Sequence, residues 1–180
     1  MILFIDSTWF TEIPPLRAMW APIGEQARVP ITGEHADRRT LAGVLNIKTG
    51  GYLQYVSAHF NQTDFQTMLR LMRAHWRGWH IVLFLDKHPA HRAKASRQLA
   101  HELSMELRWL PTACSELNPV DHLWRPVKQD VAANEGTPQL DATVSRAWMY
   151  LETMSPRERL RKAGGVSDSF WLKDVLEELG

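Results

Sequence analysis

Three aspartates hold positions from which they could do chemistry. Asp6 and Asp86 each close an apolar run, residues 2–5 and 81–85. Asp121 falls in the first turn of a helix that Asn118-Pro119 should start, with Asn as N-cap and Pro at N1. In an α/β sheet, strand ends and helix starts are where ligands bind. Carboxylate oxygens are hard ligands that suit Mg²⁺ or Mn²⁺. Two such ions about 4 Å apart activate a water and stabilise a leaving oxygen in phosphoryl transfer. Spacing alone carries little weight. Asp86 and Asp121 have 34 residues between them, and 20 acids in 180 positions supply about two such pairs by chance. By position alone the three also fit two strand-end turn carboxylates and one helix N-terminal charge favoured by the macrodipole.

Other candidates fare differently. His88 and His91 form a His-x-x-His pair, but no third or fourth zinc ligand is near. His101-Glu102 begins like a metalloprotease helix, yet Met105 stands where the second histidine belongs. The single cysteine, Cys114, excludes a disulfide framework and a Cys-cluster zinc site, and no histidine arrangement supports it as a nucleophile. No glycine-rich phosphate loop implies a nucleotide cofactor. Net charge is +1, so a nucleic-acid partner has to be argued from local patches. Arg92, Lys94 and Arg97 follow Asp86 closely and are the best placed for DNA phosphates. Arg70, Arg73 and Arg77 share a helix face, and Arg157, Arg159, Arg161 and Lys162 cluster later. Both sets fit a solvated face or DNA-backbone contact.

The elements that must position these residues are legible. The chain has 180 residues, 44% hydrophobic and 23% charged, the profile of one soluble globular domain. Its apolar runs are far too short for a membrane span. The first residues lack the basic region of a signal peptide, and one cysteine suits a reducing, cytoplasmic setting. Residues 2–5 read as a buried strand, and 11–40, rich in Pro and Gly, as mostly loop. Residues 41–47 and 52–56 read as strands joined by a hairpin turn at Gly50-Gly51. A helix follows, capped by Asn61, with Phe65, Met68, Leu69, Met72 and Trp76 on one face. Residues 81–85 read as a strand buried on both faces, 91–104 as a helix and 106–110 as a strand. Helices are expected from Pro119, from Thr137-Pro138, from Ser155-Pro156 with Glu158 as capping box, and over 169–179. A hairpin followed by alternating helix and strand implies a mixed sheet with helices packed on it.

In that context the acidic motifs resemble the catalytic domain of DDE-type transposases, in the mariner superfamily and its bacterial insertion-sequence relatives. Those proteins carry an acid ending the first strand, a second within Asp-Asn-x-x-x-His, and a third in Leu-Asn-Pro-x-Glu/Asp before Trp and Lys. Asp6, Asp86, His91, Leu117, Asn118, Pro119, Asp121, Trp124 and Lys128 match. The resemblance covers about residues 1–134, with 135–180 expected as a C-terminal helical extension of the same domain. It implies an α/β, ribonuclease-H-like fold: a five-stranded mixed sheet, its first three strands antiparallel, flanked by helices. It also implies two Mg²⁺ or Mn²⁺ ions on Asp6, Asp86 and Asp121. The expected activity is metal-dependent phosphodiester hydrolysis at transposon ends and strand transfer into target DNA. Expected partners are DNA and, on DNA, a second copy of the chain. His91, Asn118, Trp124, Lys128, Arg92, Lys94 and Arg97 become candidates for supporting the site or holding DNA.

Several residues depart from the pattern. Ser7 replaces the usual Glu after the first Asp, and Lys87 the usual Asn after the second. Cys114-Ser115 replaces the usual Ser-Pro, and Pro126 falls inside the helix bearing Asp121, where it should kink or end it. Lys87 would compete with bound cations unless it points away. Relatives carry a helix-turn-helix region before the first acid, whereas here five residues precede Asp6. These departures favour a rival expectation, a non-catalytic remnant that only binds DNA or another transposase subunit.

Overall fold

The computed structural model describes residues 1–29, 37–134 and 139–178. The Thr137-Pro138 helix start lies outside them. Five strands, β1 (Ile2–Thr11), β2 (Arg38–Asn46), β3 (Tyr52–Ser57), β4 (Ile81–Leu85) and β5 (Met105–Trp109), form one sheet in the order β3-β2-β1-β4-β5. The first three pair antiparallel, and β4 and β5 join parallel. This is the expected mixed sheet. The β2–β3 hairpin closes through Gly50, at φ +71, a conformation open to glycine without strain.

Alternation along β1 splits its side chains between two cores. Leu3 and Ile5 join Val44, Leu83 and Leu85 against helix α1 (Gln62–His75). Phe65, Met68, Leu69 and Met72 of α1 are fully buried there, each contributing about 1.5–3 kcal/mol of hydrophobic stabilisation. Asn61 and Asp64 form the capping box that starts α1. Ile2 and Phe4 face the opposite core with α4 (Pro119–Val127) and α5 (Leu140–Thr153). Asp6 continues that second face.

Some element bounds differ from expectation. β1 runs past Asp6 to Thr11 because Thr8 and Phe10 keep the buried alternation and pair with Leu41 and Arg39 of β2. The expected loop over 11–40 accordingly yields to strand at Arg38. The helix expected over 91–104 is two: α2 (Pro89–Arg92) and α3 (Lys94–Glu102), separated at Ala93, which is extended at φ −52, ψ 135. Pro126 does not end α4. The chain continues into a π-helical turn over Lys128–Ala132, whose wider winding absorbs the disruption that an internal proline brings. After α6 (Pro156–Lys162), the last helix, α7 (Lys173–Glu178), starts later than Ser169. Phe170 and Trp171 instead insert beside Phe4, with ring centroids 6.4 and 6.2 Å from it.

Candidate active site

Strand register brings the first two carboxylates level. Phe4 pairs with Phe84 across β1 and β4, so Asp6 and Asp86 each lie two residues further, where β4 has ended and β1 continues. Asp6 is thus within its strand rather than at its end. Asn118 attaches the third carboxylate to the same place. Its Oδ1 accepts the Val120 N–H and starts α4, while its Nδ2 donates to the Ile5 carbonyl at 2.9 Å. One buried side chain therefore sets the helix start against β1, and Asp121 rides in its first turn. Trp171 Nε1 donates to the neighbouring Leu117 carbonyl at 3.0 Å, so the C-terminal segment braces this junction. Asp6, Asp86, Asn118 and Asp121 line one cavity of about 350 Å³, closed on another side by residues 110–115.

Each carboxylate has a distinct environment. Trp124 Nε1 donates to Asp6 Oδ2 at 2.8 Å. Burial still pushes the Asp6 pKa up to about 7, and the charges of Asp121 and Asp86 push the same way. Burial also acts to raise Asp86, but hydrogen bonding and charge from His91 outweigh it and leave Asp86 below its ordinary value. His91 Nδ1 lies 2.7 Å from Asp86 Oδ1. Because a carboxylate only accepts, Nδ1 carries the proton. The ring is buried against Phe65, with centroids 4.4 Å apart, so it fixes the carboxylate from behind. The His88 N–H adds a second donor at 3.1 Å. Lys128 sits over the Trp9 ring at 5.6 Å. Burial lowers its pKa, opposed by the charges of Asp121 and Asp6.

The three acids share a cavity without closing into a ligand cage: among the described residues no group of three or more His, Cys, Asp or Glu is arranged to hold a metal ion. The donor set nevertheless fits a hard divalent cation. It consists of oxygens alone, and Asp6 is a half-buried carboxylate whose ionisation is opposed by desolvation and by its acidic neighbours, a charge deficit that a cation relieves. Lys87 does not cap Asp86. Its Nζ donates to Thr112 Oγ1 at 3.2 Å.

The structure sorts the remaining candidates. Arg92 and Arg97 line a neighbouring cavity with Lys87 and Trp109, while Lys94 is exposed at the start of α3 and is not part of that lining. Arg73 is structural, donating to the carbonyls of Leu103, Trp79 and Ser104. Arg159 donates to the carbonyls of Gly50 and Leu151. Neither is available as the DNA contact that its sequence cluster suggested. Sequence reasoning missed Trp9, Thr112 and Trp109. Trp109 could have been found by aligning the ends of the two parallel strands, since it pairs with Leu85.

A mixed sheet in this order, with carboxylates at the β1–β4 junction and on the first turn of α4, defines a ribonuclease-H-like fold. The family model described as DDE superfamily endonuclease matches residues 1–143, and the chain belongs to that family. Among solved structures, it is similar to the Mos1 transposase paired-end complex with left transposon end (TM-score 0.71, 15% identity, 94% of this chain and 53% of that one). A mariner Mos1 paired end complex with Mg gives 0.69 and 16%, covering 95% and 53%. The isolated catalytic domain of Mos1 mariner transposase gives 0.62 and 14%, covering 90% and 74%. The chain thus spans about half the length of the transposases in those complexes. Comparison with curated protein sequences gave no match.

Proposed function

We propose that this chain is the catalytic domain of a transposase that cuts phosphodiester bonds at transposon ends and joins the freed ends to target DNA. The observation that carries the reading is the convergence of Asp6, Asp86 and Asp121 on one cavity within a member of the DDE endonuclease family. Mos1 structures with Mg and with Mn support a divalent metal, and those with a transposon end support DNA as partner.

Asp6, Asp86 and Asp121 would hold two Mg²⁺ or Mn²⁺ ions, which supply activation of the attacking oxygen and stabilisation of the leaving one. The chain's own residues keep the three carboxylates in place. Trp124 orients Asp6, His91 orients Asp86, and Asn118 sets Asp121 against β1. In the first step a water oxygen bonds to phosphorus, the bond to the 3′ oxygen breaks, and a 3′-hydroxyl and a 5′-phosphate result. In the second, that 3′ oxygen bonds to a target phosphorus and displaces the target's own 3′ oxygen. Both are in-line displacements without a covalent enzyme intermediate. Arg92, Lys94 and Arg97 are the proposed DNA contacts beside the site. Residues 135–180 act as an extension of the same domain, and the working form is a homodimer on DNA in the cytoplasm. No helix among the described residues is long and apolar enough to cross a membrane.

The test is nicking of plasmid DNA in Mn²⁺. Wild type should nick, and Asp6→Asn, Asp86→Asn and Asp121→Asn should each lose the activity. A folded wild type that never nicks, or variants that nick equally, would leave the non-catalytic remnant as the better account.

A further inference from the structure

A cavity of about 500 Å³ adjoins the catalytic one and is lined by Lys87, Arg92, Arg97 and Trp109. Lys87 lines both. The sheet explains the adjacency. Leu85 and Trp109 are partners at the ends of β4 and β5, so the chain leaving β4 presents Asp86 to one cavity and Lys87 to the boundary between them. The break at Ala93 separates the helices that bear Arg92 and Arg97. This lining has three cations, one indole and no carboxylate. Arg92 and Arg97 are exposed and form no ion pair among the described residues, and Trp109 keeps 37% of its surface exposed.

Cations that only solvate a surface need not converge, and they need no aromatic among them. A basic groove with an aromatic face is how single-stranded nucleic acid is held: charges follow the phosphates and a base stacks on the ring. In a duplex each base is already stacked and offers no free face. The volume suits a ligand of nucleotide size.

We infer that this groove holds an unpaired stretch of the DNA strand as it leaves the catalytic cavity, with phosphates on Lys87, Arg92 and Arg97 and one base stacked on Trp109. The inference rests on the proposed function and adds to it. It gives Lys87 a task at the place where the resembling family carries asparagine: its ammonium directs the strand from the carboxylates into the groove.

The probe is a single-stranded oligodeoxynucleotide carrying 2-aminopurine, titrated with the full chain in Mn²⁺ at several salt concentrations. Wild type should bind and quench the fluorescent base. Trp109→Ala should bind roughly 5- to 150-fold more weakly and lose the quench, and Trp109→Phe should restore both in part. Arg92→Gln and Arg97→Gln should each reduce the slope of log affinity against log salt by about 0.7. The inference is overturned if wild type does not bind the single strand, if it binds blunt duplex as tightly, or if the variants keep affinity, slope and quench. The nicking assay reports separately on the proposed function. Nicking with unaltered groove variants sinks the groove alone, whereas quenching without nicking sinks the catalytic reading and leaves the groove standing.

Discussion

Replacing Asp6 by Asn should stabilise the metal-free protein at alkaline pH. Asn keeps an oxygen to accept the 2.8 Å bond from Trp124 and removes only the charge. The Asp6 carboxyl is raised from 3.8 to about 7. Well below its ordinary value of 3.8 it is protonated in folded and unfolded protein alike and contributes no pH dependence. Between about 4 and 7 the folded protein retains a proton that the unfolded chain has released. Wild-type stability therefore falls as pH rises, by about 1.4 kcal/mol per unit at most. The shift of about 3 units sets a ceiling of about 4 kcal/mol. Solvent reaching this partly buried side chain lowers the expected effect to about 1–3 kcal/mol. The assay is urea unfolding of both proteins in EDTA from pH 4 to pH 8. Taking their difference at each pH cancels the titrating groups that do not interact with Asp6. The expected difference is small at pH 4 and favours Asp6→Asn more strongly at pH 8. Mn²⁺ at about a thousand times Kd should then reverse the order, because binding to the folded wild type adds about 4.1 kcal/mol. A variant no more stable than wild type at pH 8, or a difference independent of pH, would refute the reasoning.

Three further perturbations probe the supports. A Cβ at Gly43 would collide with Tyr52 Oη and come within 3.0 Å of Trp124 Cη2; Gly43→Ala should cost about 1–3 kcal/mol in urea unfolding and weaken Mn²⁺ binding by displacing Trp124 from Asp6. His91→Leu removes the donor that orients Asp86 while keeping an apolar side chain against Phe65; calorimetry should show Mn²⁺ affinity reduced about 10- to 100-fold in a folded protein. Lys87→Asn removes an exposed cation engaged with Thr112; Mn²⁺ affinity should rise by about fivefold or less, the scale of a screened surface charge, and a rise of several hundredfold would show that Lys87 occupies the cation's place.

The sheet was legible because its strands are apolar runs with hard stops, and α1 because Phe65 to Trp76 repeat at helical spacing. The bounds that escaped depend on tertiary partners. Thr8, Trp9, Phe10 and Thr11 are strand formers, but Asp6 looks like a stop before them; pairing with β2 carries the strand through. Phe170 and Trp171 look helical until the Phe4 cluster takes their side chains. At the site, the carboxylates were found from their positions at element ends and from the motif they share with a known family. Their supports were legible only in part. Asn118, Trp124 and His91 could be named from the motif, but their hydrogen bonds span 113, 118 and 5 positions, and only the last is local. Trp109 and Thr112 belong to no motif and acquire meaning only from strand register. Arg73 and Arg159 misled because a charge pattern does not tell a solvated guanidinium from one that binds backbone carbonyls.

The central claim is that Asp6, Asp86 and Asp121 form one cation site, and Mn²⁺ calorimetry on the wild type and on Asp86→Asn tests it most directly. The account predicts Mn²⁺ binding to the folded wild type and its loss in Asp86→Asn. Proton release should accompany wild-type binding near pH 7, where Asp6 is still partly protonated. Equal binding by both proteins, or no binding by the folded wild type, would contradict it.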